Sequence, residues 1–198
     1  MERRPATADE ARALANPLRL RILRLCLDRG LTNKELADRL GRDPGTILHH
    51  VRRLVATGFL AAGADRRGLR GSTERPYRAT GKSWTLDVGD AESGTIAMIE
   101  AFRDEVAESP PGHPVSLSRL GVRLSPDAAT AFRQRLETLV EALYASDDPT
   151  GDPYGFLVGL HRRDESAPAD RAPLHEVFEG TGDDHEVPKR APRSRPAR

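Results

Sequence analysis

The chain is poor in cysteine, in aromatic residues and in long apolar runs, and each shortage removes a class of protein. Its single cysteine, Cys26, has no partner for an internal disulfide and cannot supply a multi-cysteine zinc site. Aromatic residues make up 5% of the 198 and charged residues 31%, the composition of a soluble protein with one good core or two small ones. No apolar stretch approaches the roughly 20 residues that cross a bilayer. The start, Met1-Glu-Arg-Arg-Pro-Ala-Thr7, lacks the hydrophobic region of a signal peptide, so a cytoplasmic protein without a membrane partner is expected. Catalytic signatures are missing too: there is no Gly-rich phosphate loop, nucleophile elbow or carboxylate pair beside a base. Only a triad assembled in space is left untested, so neither an enzyme nor a cofactor is expected.

What the chain does have is a division of charge. Its net charge is +1, but residues 1–90 hold 18 Arg and Lys against 11 Asp and Glu, whereas residues 91–160 hold 5 against 11. That asymmetry places any polyanion-binding unit in the first half, because phosphate contacts supply most non-specific affinity for nucleic acid. Arginine far outnumbers lysine, and Ala, Gly and Pro are plentiful, a composition associated with GC-rich bacterial genomes.

Residues 43–58 are the centre of the basic half. Asp43 is a helix-capping acceptor, Pro44 occupies the first helical position, and Gly58 stands where a left-handed residue closes a helix. Ile47, Val51, Leu54 and Val55 fall on one stripe, with Thr46, His49, Arg52 and Arg53 opposite. Upstream, Thr7 caps a short helix over 7–15 anchored by Leu14. Asn16-Pro17 opens a second, to about Asp28, with Leu18, Ile22, Leu25 and Cys26 inward and Arg19, Arg21 and Arg24 outward. Thr32-Asn-Lys-Glu35 is a capping box for a third helix, which buries Leu36, Ala37 and Leu40 before Gly41 turns the chain. Two short helices joined by a glycine turn, the second basic outside, read as a helix-turn-helix whose second helix enters a major groove. The alternative is an ordinary amphipathic surface helix, and the neighbouring elements weigh against it.

After Gly58, Phe59-Leu-Ala-Ala62 begins a strand and Pro76-Tyr-Arg-Ala-Thr80 resumes one. The Gly- and Arg-rich residues 63–75 form a long tip between them, a hairpin of the kind called a wing. Arg66, Arg67, Arg70 and Arg75 line it. Beside a helix-turn-helix they read as phosphate or minor-groove contacts; the plainer reading is a solvated loop.

The second half is less distinct. Asp90 caps a helix over 91–108 with Thr95, Met98, Ile99, Phe102 and Val106 at 3–4 spacing. Val115 to Leu124 alternates as one strand. Ser125-Pro-Asp127 starts a helix to about Ala145 with Ala129, Phe132, Leu136, Leu139, Val140 and Leu143 inward, and Tyr154 to Leu160 reads as a further strand. Residues 162–198 have no period and are expected to be disordered. Six histidines raise a metal question. His49 and His50 point about 100° apart on a helix and do not easily share one ion. His175-Glu176 and His185-Glu186 lie in the tail, so no functional metal site is expected.

The string Thr46-Ile-Leu-His-His-Val-Arg-Arg-Leu-Val-Ala-Thr-Gly-Phe-Leu60 resembles the arsenic-repressor (ArsR) type of winged-helix bacterial transcription regulators, as does Leu18-Arg-Leu-Arg-Ile-Leu23 after an Asn-Pro. The resemblance covers roughly residues 10–84. It implies a homodimer that binds an operator in double-stranded DNA and usually represses. Leu48 stands where many members carry a DNA-facing serine, which makes readout there apolar. The metal-sensing members' cysteine pair is absent, since the third helix reads Glu35-Leu-Ala-Asp38.

The expected fold is therefore mainly α with small β (α+β). It has a winged helix-turn-helix over 1–88, a dimerisation helix and small C-terminal α/β region over 89–161, and a tail over 162–198. Thr46, Leu48, His49, Arg52, Arg53, Arg66, Arg67, Arg70 and Arg75 are the expected DNA contacts, and Met98, Ile99, Phe102 and Val106 the dimer contacts. Phe132, Leu136, Tyr154 and Phe156 are candidate lining for a small organic effector. The competing function is a protein-interaction module that keeps the winged helix without reading DNA sequence.

Overall fold

The computed structural model describes residues 3–67, 73–87, 92–110, 118–148 and 150–162. Arg70 and the wing tip, the Asp90 cap, residues 115–117 of the first expected C-terminal strand and the tail beyond 162 lie outside these residues. In chain order the elements are β1 (Arg4–Pro5), α1 (Ala8–Leu14), α2 (Pro17–Asp28), β2 (Leu31–Thr32), α3 (Asn33–Leu40), α4 (Pro44–Ala56) and β3 (Leu60–Ala62). They continue with β4 (Arg66–Arg67), β5 (Thr73–Glu74), β6 (Pro76–Ala79), a 3₁₀ turn (Lys82–Thr85), β7 (Leu86–Asp87), α5 (Glu92–Ala107) and α6 (Pro126–Ala145). None of the described helices is long and apolar enough to cross a membrane.

Side-chain caps start the first four helices, because the first turn leaves backbone N–H groups without partners. Thr7 with Glu10 and Thr32 with Glu35 are reciprocal capping boxes. Asn16 Oδ1 accepts from the Arg19 N–H at 3.0 Å, and Asp43 Oδ2 accepts from the Thr46 N–H at 2.9 Å. Gly41 ends α3 at φ 58° and Gly58 follows α4 at φ 74°, both left-handed positions that suit glycine.

One core sits under the helix-turn-helix. Ile22 and Cys26 of α2, Leu36 of α3 and Ile47, Val51 and Leu54 of α4 are fully buried, with Leu31 and Phe59 closing it from the sheet side. The sheet is antiparallel in the order β2-β6-β3, with Leu31 opposite Tyr77 and Leu60 opposite Ala79. β4 and β5 extend the hairpin, Arg66 facing Glu74. β1 pairs in parallel with β7, Arg4 opposite Leu86, and ties the N-terminal arm to the chain beyond the wing. Val55, expected inward, is 37% exposed. It lies about 80° round the helix from Ile47, at the edge of the stripe.

Glu10 fastens this arm. Its side chain takes Arg4 at 2.7 Å, Lys82 Nζ at 2.7 Å and the Thr7 N–H at 2.8 Å. The Arg4 guanidinium, then Lys82 and the Thr7 amide, hold its carboxyl well below the usual carboxylate range. A carboxyl lowered by folding adds stability that is present at neutral pH and lost as pH falls through the ordinary carboxylate range. Glu10→Gln is expected to lower the melting temperature at pH 7 and to flatten its decline between pH 5 and 3. Parallel melting curves for the two proteins would remove Glu10 from the acid response.

The second half departs from expectation in three ways. α5 lies against α1 and α2 through the small residues Ala97 and Ala101, which are buried. In doing so it covers Arg21, placed on the exposed side of α2 by the sequence pattern but 9% exposed here. Arg21 pairs with Glu108 and lies 3.8 Å from Asp104, so its charge is compensated. Among the described residues, the two expected C-terminal strands have no ladder: residues 118–124 and 150–162 are paired with no other strand. Alternation alone does not make a strand, which exists only where another segment completes its hydrogen bonds. α6 is a helix over the expected span, but none of its side chains is buried. Phe132, Leu139 and Leu143 are exposed, and Ala129, Leu136 and Val140 half-buried. Among the described residues, the expected small C-terminal α/β region is thus a helix flanked by chain without strands.

Candidate nucleic-acid interface

α4 presents the outer face that the cap and the core together impose. With Ile47, Val51 and Leu54 fixed inward, Thr46, His49 and Arg52 are exposed, and Leu48 and Arg53 half-buried at the flanks. His50 is half-buried, with Nδ1 3.5 Å from an Arg19 guanidinium nitrogen. Burial, then the Arg19 charge, then His49 push its pKa below the ordinary histidine value, so it is neutral at pH 7. Arg19 in turn donates to the carbonyls of Ala13 (2.5 Å) and Arg12 (2.6 Å). Arg19 and His50 therefore brace α4 on α1 and α2, and His49 is the histidine that faces outward.

The cations of this face differ in how free they are. Arg52 and Arg67 are exposed and have no ion-pair partner among the described residues. Arg53 lies 3.1 Å from Asp9, which also holds Arg12 at 2.6 Å. Arg66 grips Glu35 at 2.8 Å and lies 3.8 Å from Glu74; Arg75 holds Asp65 at 2.7 Å. The sequence pattern identifies the arginines but not these carboxylates, which come from α1, α3 and the wing itself. Arg70 falls outside the described residues.

The other expected sites are partly assembled. On α5, Met98 and Ile99 are 40% and 50% exposed, and Ile96, one turn before Ile99 and absent from the expected set, is 49% exposed. Phe102 and Val106 are half-buried. Phe102 faces a groove of about 230 Å³ lined by Leu20, Leu23 and Leu27 of α2, Trp84, Met98 and Phe156. Of the four candidate effector contacts only Phe156 reaches this groove; Phe132, Leu136 and Tyr154 are not in its lining. The Tyr154 carbonyl instead accepts from Arg24. Trp84, a groove residue and a ring partner of Tyr144 at 5.1 Å, carries no sequence signal because it stands alone in a four-residue turn. No three His, Cys, Asp or Glu side chains among the described residues gather as metal ligands.

Cys26 is sealed in the core, and burial pushes its thiol up to about 12. A thiol held protonated is a poor nucleophile. Cys26 is expected to resist a thiol-reactive dye in the native protein and to label fully in denaturant. Rapid native labelling would show that the core opens.

Residues 14–61 match the model of a helix-turn-helix domain. Solved structures similar to the chain include reduced HlyU from Vibrio cholerae, at 22% identity over 44% of this chain and 77% of that one, with a TM-score of 0.30. The transcriptional repressor BigR from Xylella fastidiosa shares 16% identity over 50% of this chain and 83% of its own, with a TM-score of 0.32. The MepR–DNA complex of S. aureus shares 14% over 69% and 80%, with a TM-score of 0.26. No curated protein matches the chain. The domain match spans α2 to the first wing strand, and with the β3–β6 hairpin behind it the first half of the chain is a winged helix-turn-helix.

Proposed function

We propose that this protein is a homodimeric transcription regulator of the ArsR type that binds double-stranded DNA and represses. In this reading α4 enters the major groove and the β4–β5 wing tracks the backbone or minor groove. The observation that carries it is the outer face of α4. Thr46, His49 and Arg52 are exposed on a helix whose Ile47, Val51 and Leu54 are buried, within a matched helix-turn-helix domain and beside a basic hairpin. Fork-shaped arginine donors and imidazole nitrogens at that position suit base edges, and hairpin arginines suit phosphate. The apolar side chains left exposed on α5 support assembly as a dimer, because an unpartnered stripe of Ile96, Met98 and Ile99 in one protomer is covered by a two-fold mate.

Regulation by a small organic molecule is a further part of the proposal. The groove between α2, Trp84 and α5 touches both the helix-turn-helix core, through Phe59, and the dimer helix, so a ligand there bears on both elements. Selection of bound sequences from a random DNA library tests the central claim. A recurrent, two-fold symmetric site whose affinity falls steeply with salt is expected. Selection of no consensus would favour a winged helix that binds another protein.

A further inference from the structure

The cations of the α4 face are not equally available, and the pattern points to a residue outside the helix-turn-helix. Asp9 stands in the first turn of α1, outside the helix-turn-helix. Its carboxylate lies 3.1 Å from Arg53 and 2.6 Å from Arg12, and these two guanidiniums, through hydrogen bonds and then charge, hold it below the usual aspartate range. The pair is open to solvent, with side-chain exposure of 38% for half-buried Arg53 and 63% for Asp9. Such contacts are weak and open readily in competition with a better partner.

We infer that Asp9 is a specificity-determining residue: it occupies Arg53 in the free protein and so suppresses binding to arbitrary DNA more than binding to the operator. This rests on the DNA-binding reading above. At a correct site a guanine edge offers Arg53 a two-pronged acceptor that outcompetes an exposed carboxylate. At a random site the only reward is a hydrated phosphate, which must displace Asp9 and then lie near its negative charge. Arg52, without a partner among the described residues, carries no such restraint. Arg66 with Glu35 and Arg75 with Asp65 repeat the arrangement on the wing.

The experiment measures binding of the full chain to the selected site and to a scrambled duplex across a salt series, for the wild type, Asp9→Asn, Arg53→Ala and the double variant. Asp9→Asn is expected to tighten binding to scrambled DNA about three- to tenfold and to steepen its salt slope by about one phosphate. Operator affinity changes less, so the ratio of the two falls. In the Arg53→Ala background the substitution has no effect on either duplex. An unchanged affinity for scrambled DNA, or an equal gain with and without Arg53, overturns the inference. Arg52→Ala, run alongside, separates the two claims. If it weakens binding while Asp9→Asn does nothing, only Asp9 is removed; if it too does nothing, the DNA reading itself fails. Melting curves for Asp9→Asn check that α1 is intact, and Asp9→Ser gives the same binding result if charge rather than the amide is responsible.

Discussion

Arg52→Ala is expected to weaken operator binding by about 1–3 kcal/mol, roughly 5- to 150-fold, if the guanidinium reads a base edge. It is expected to reduce the slope of log K against log salt by about 0.9 if it neutralises a phosphate. The prediction is sharp for this residue because Arg52 is exposed on the outer face of α4, has no ion-pair partner among the described residues and packs nothing in the core. Loss of its side chain therefore tests the proposed contact with DNA without loosening the protomer. The two outcomes differ in the selected sequences: a base contact relaxes preference at one position, a phosphate contact weakens all sequences alike. Anisotropy titrations at several salt concentrations check both. Unchanged affinity and slope would take α4's arginine face out of the interface.

Ile99→Asp is expected to convert the proposed dimer to monomers and to abolish binding to a two-half-site operator. Ile99 lies at the middle of the exposed Ile96, Met98 and Ile99 face of α5, while Ala97 and Ala101 on the opposite side fix the helix to α1 and α2. A carboxylate there faces solvent in the monomer, so the protomer should fold and melt normally. In a dimer it is buried without a partner, which weakens association by about two to three orders of magnitude. Phe102→Asp, which the helical spacing alone ranks with it, is a worse test. Phe102 is half-buried beside Trp84 and the α2 leucines, so a charge there disturbs the protomer as well. Sedimentation velocity at micromolar protein distinguishes the states, and a dimer that persists in Ile99→Asp would place the interface elsewhere.

The winged helix-turn-helix was legible because its determinants are local. Thr7, Asn16, Thr32 and Asp43 are side chains that bond to amides three residues on, and each starts its helix where expected. Gly41 and Gly58 mark left-handed turns, and Ile47, Val51 and Leu54 repeat at the helical period that buries them. Even the wing follows from composition, since an Arg- and Gly-rich tip between two short β-prone runs has little else to form. The two-residue strands β1, β2, β4, β5 and β7 were not legible, because two residues have no period; β4 and β5 lie inside the stretch expected as the hairpin tip.

Everything that depends on which surfaces meet was decided only by the tertiary structure. Arg21 has the exposed-face position of Arg19 and Arg24 in the α2 pattern. It is buried because α5 crosses that face with Asp104 and Glu108, more than 80 residues away in sequence. Arg52 and Arg53 are chemically identical neighbours, yet Arg52 has no ion-pair partner among the described residues and Arg53 is tied to Asp9 of α1, far from it in sequence. Val115 to Leu124 and Tyr154 to Leu160 carry the apolar content of strands, but a strand is a property of two segments. Among the described residues, neither segment is paired into a ladder with another strand. Local signals determine where elements begin and end because caps and periods act over a few residues. Charge pairing, burial of a single arginine and completion of a sheet are long-range outcomes, and only the assembled chain contains them.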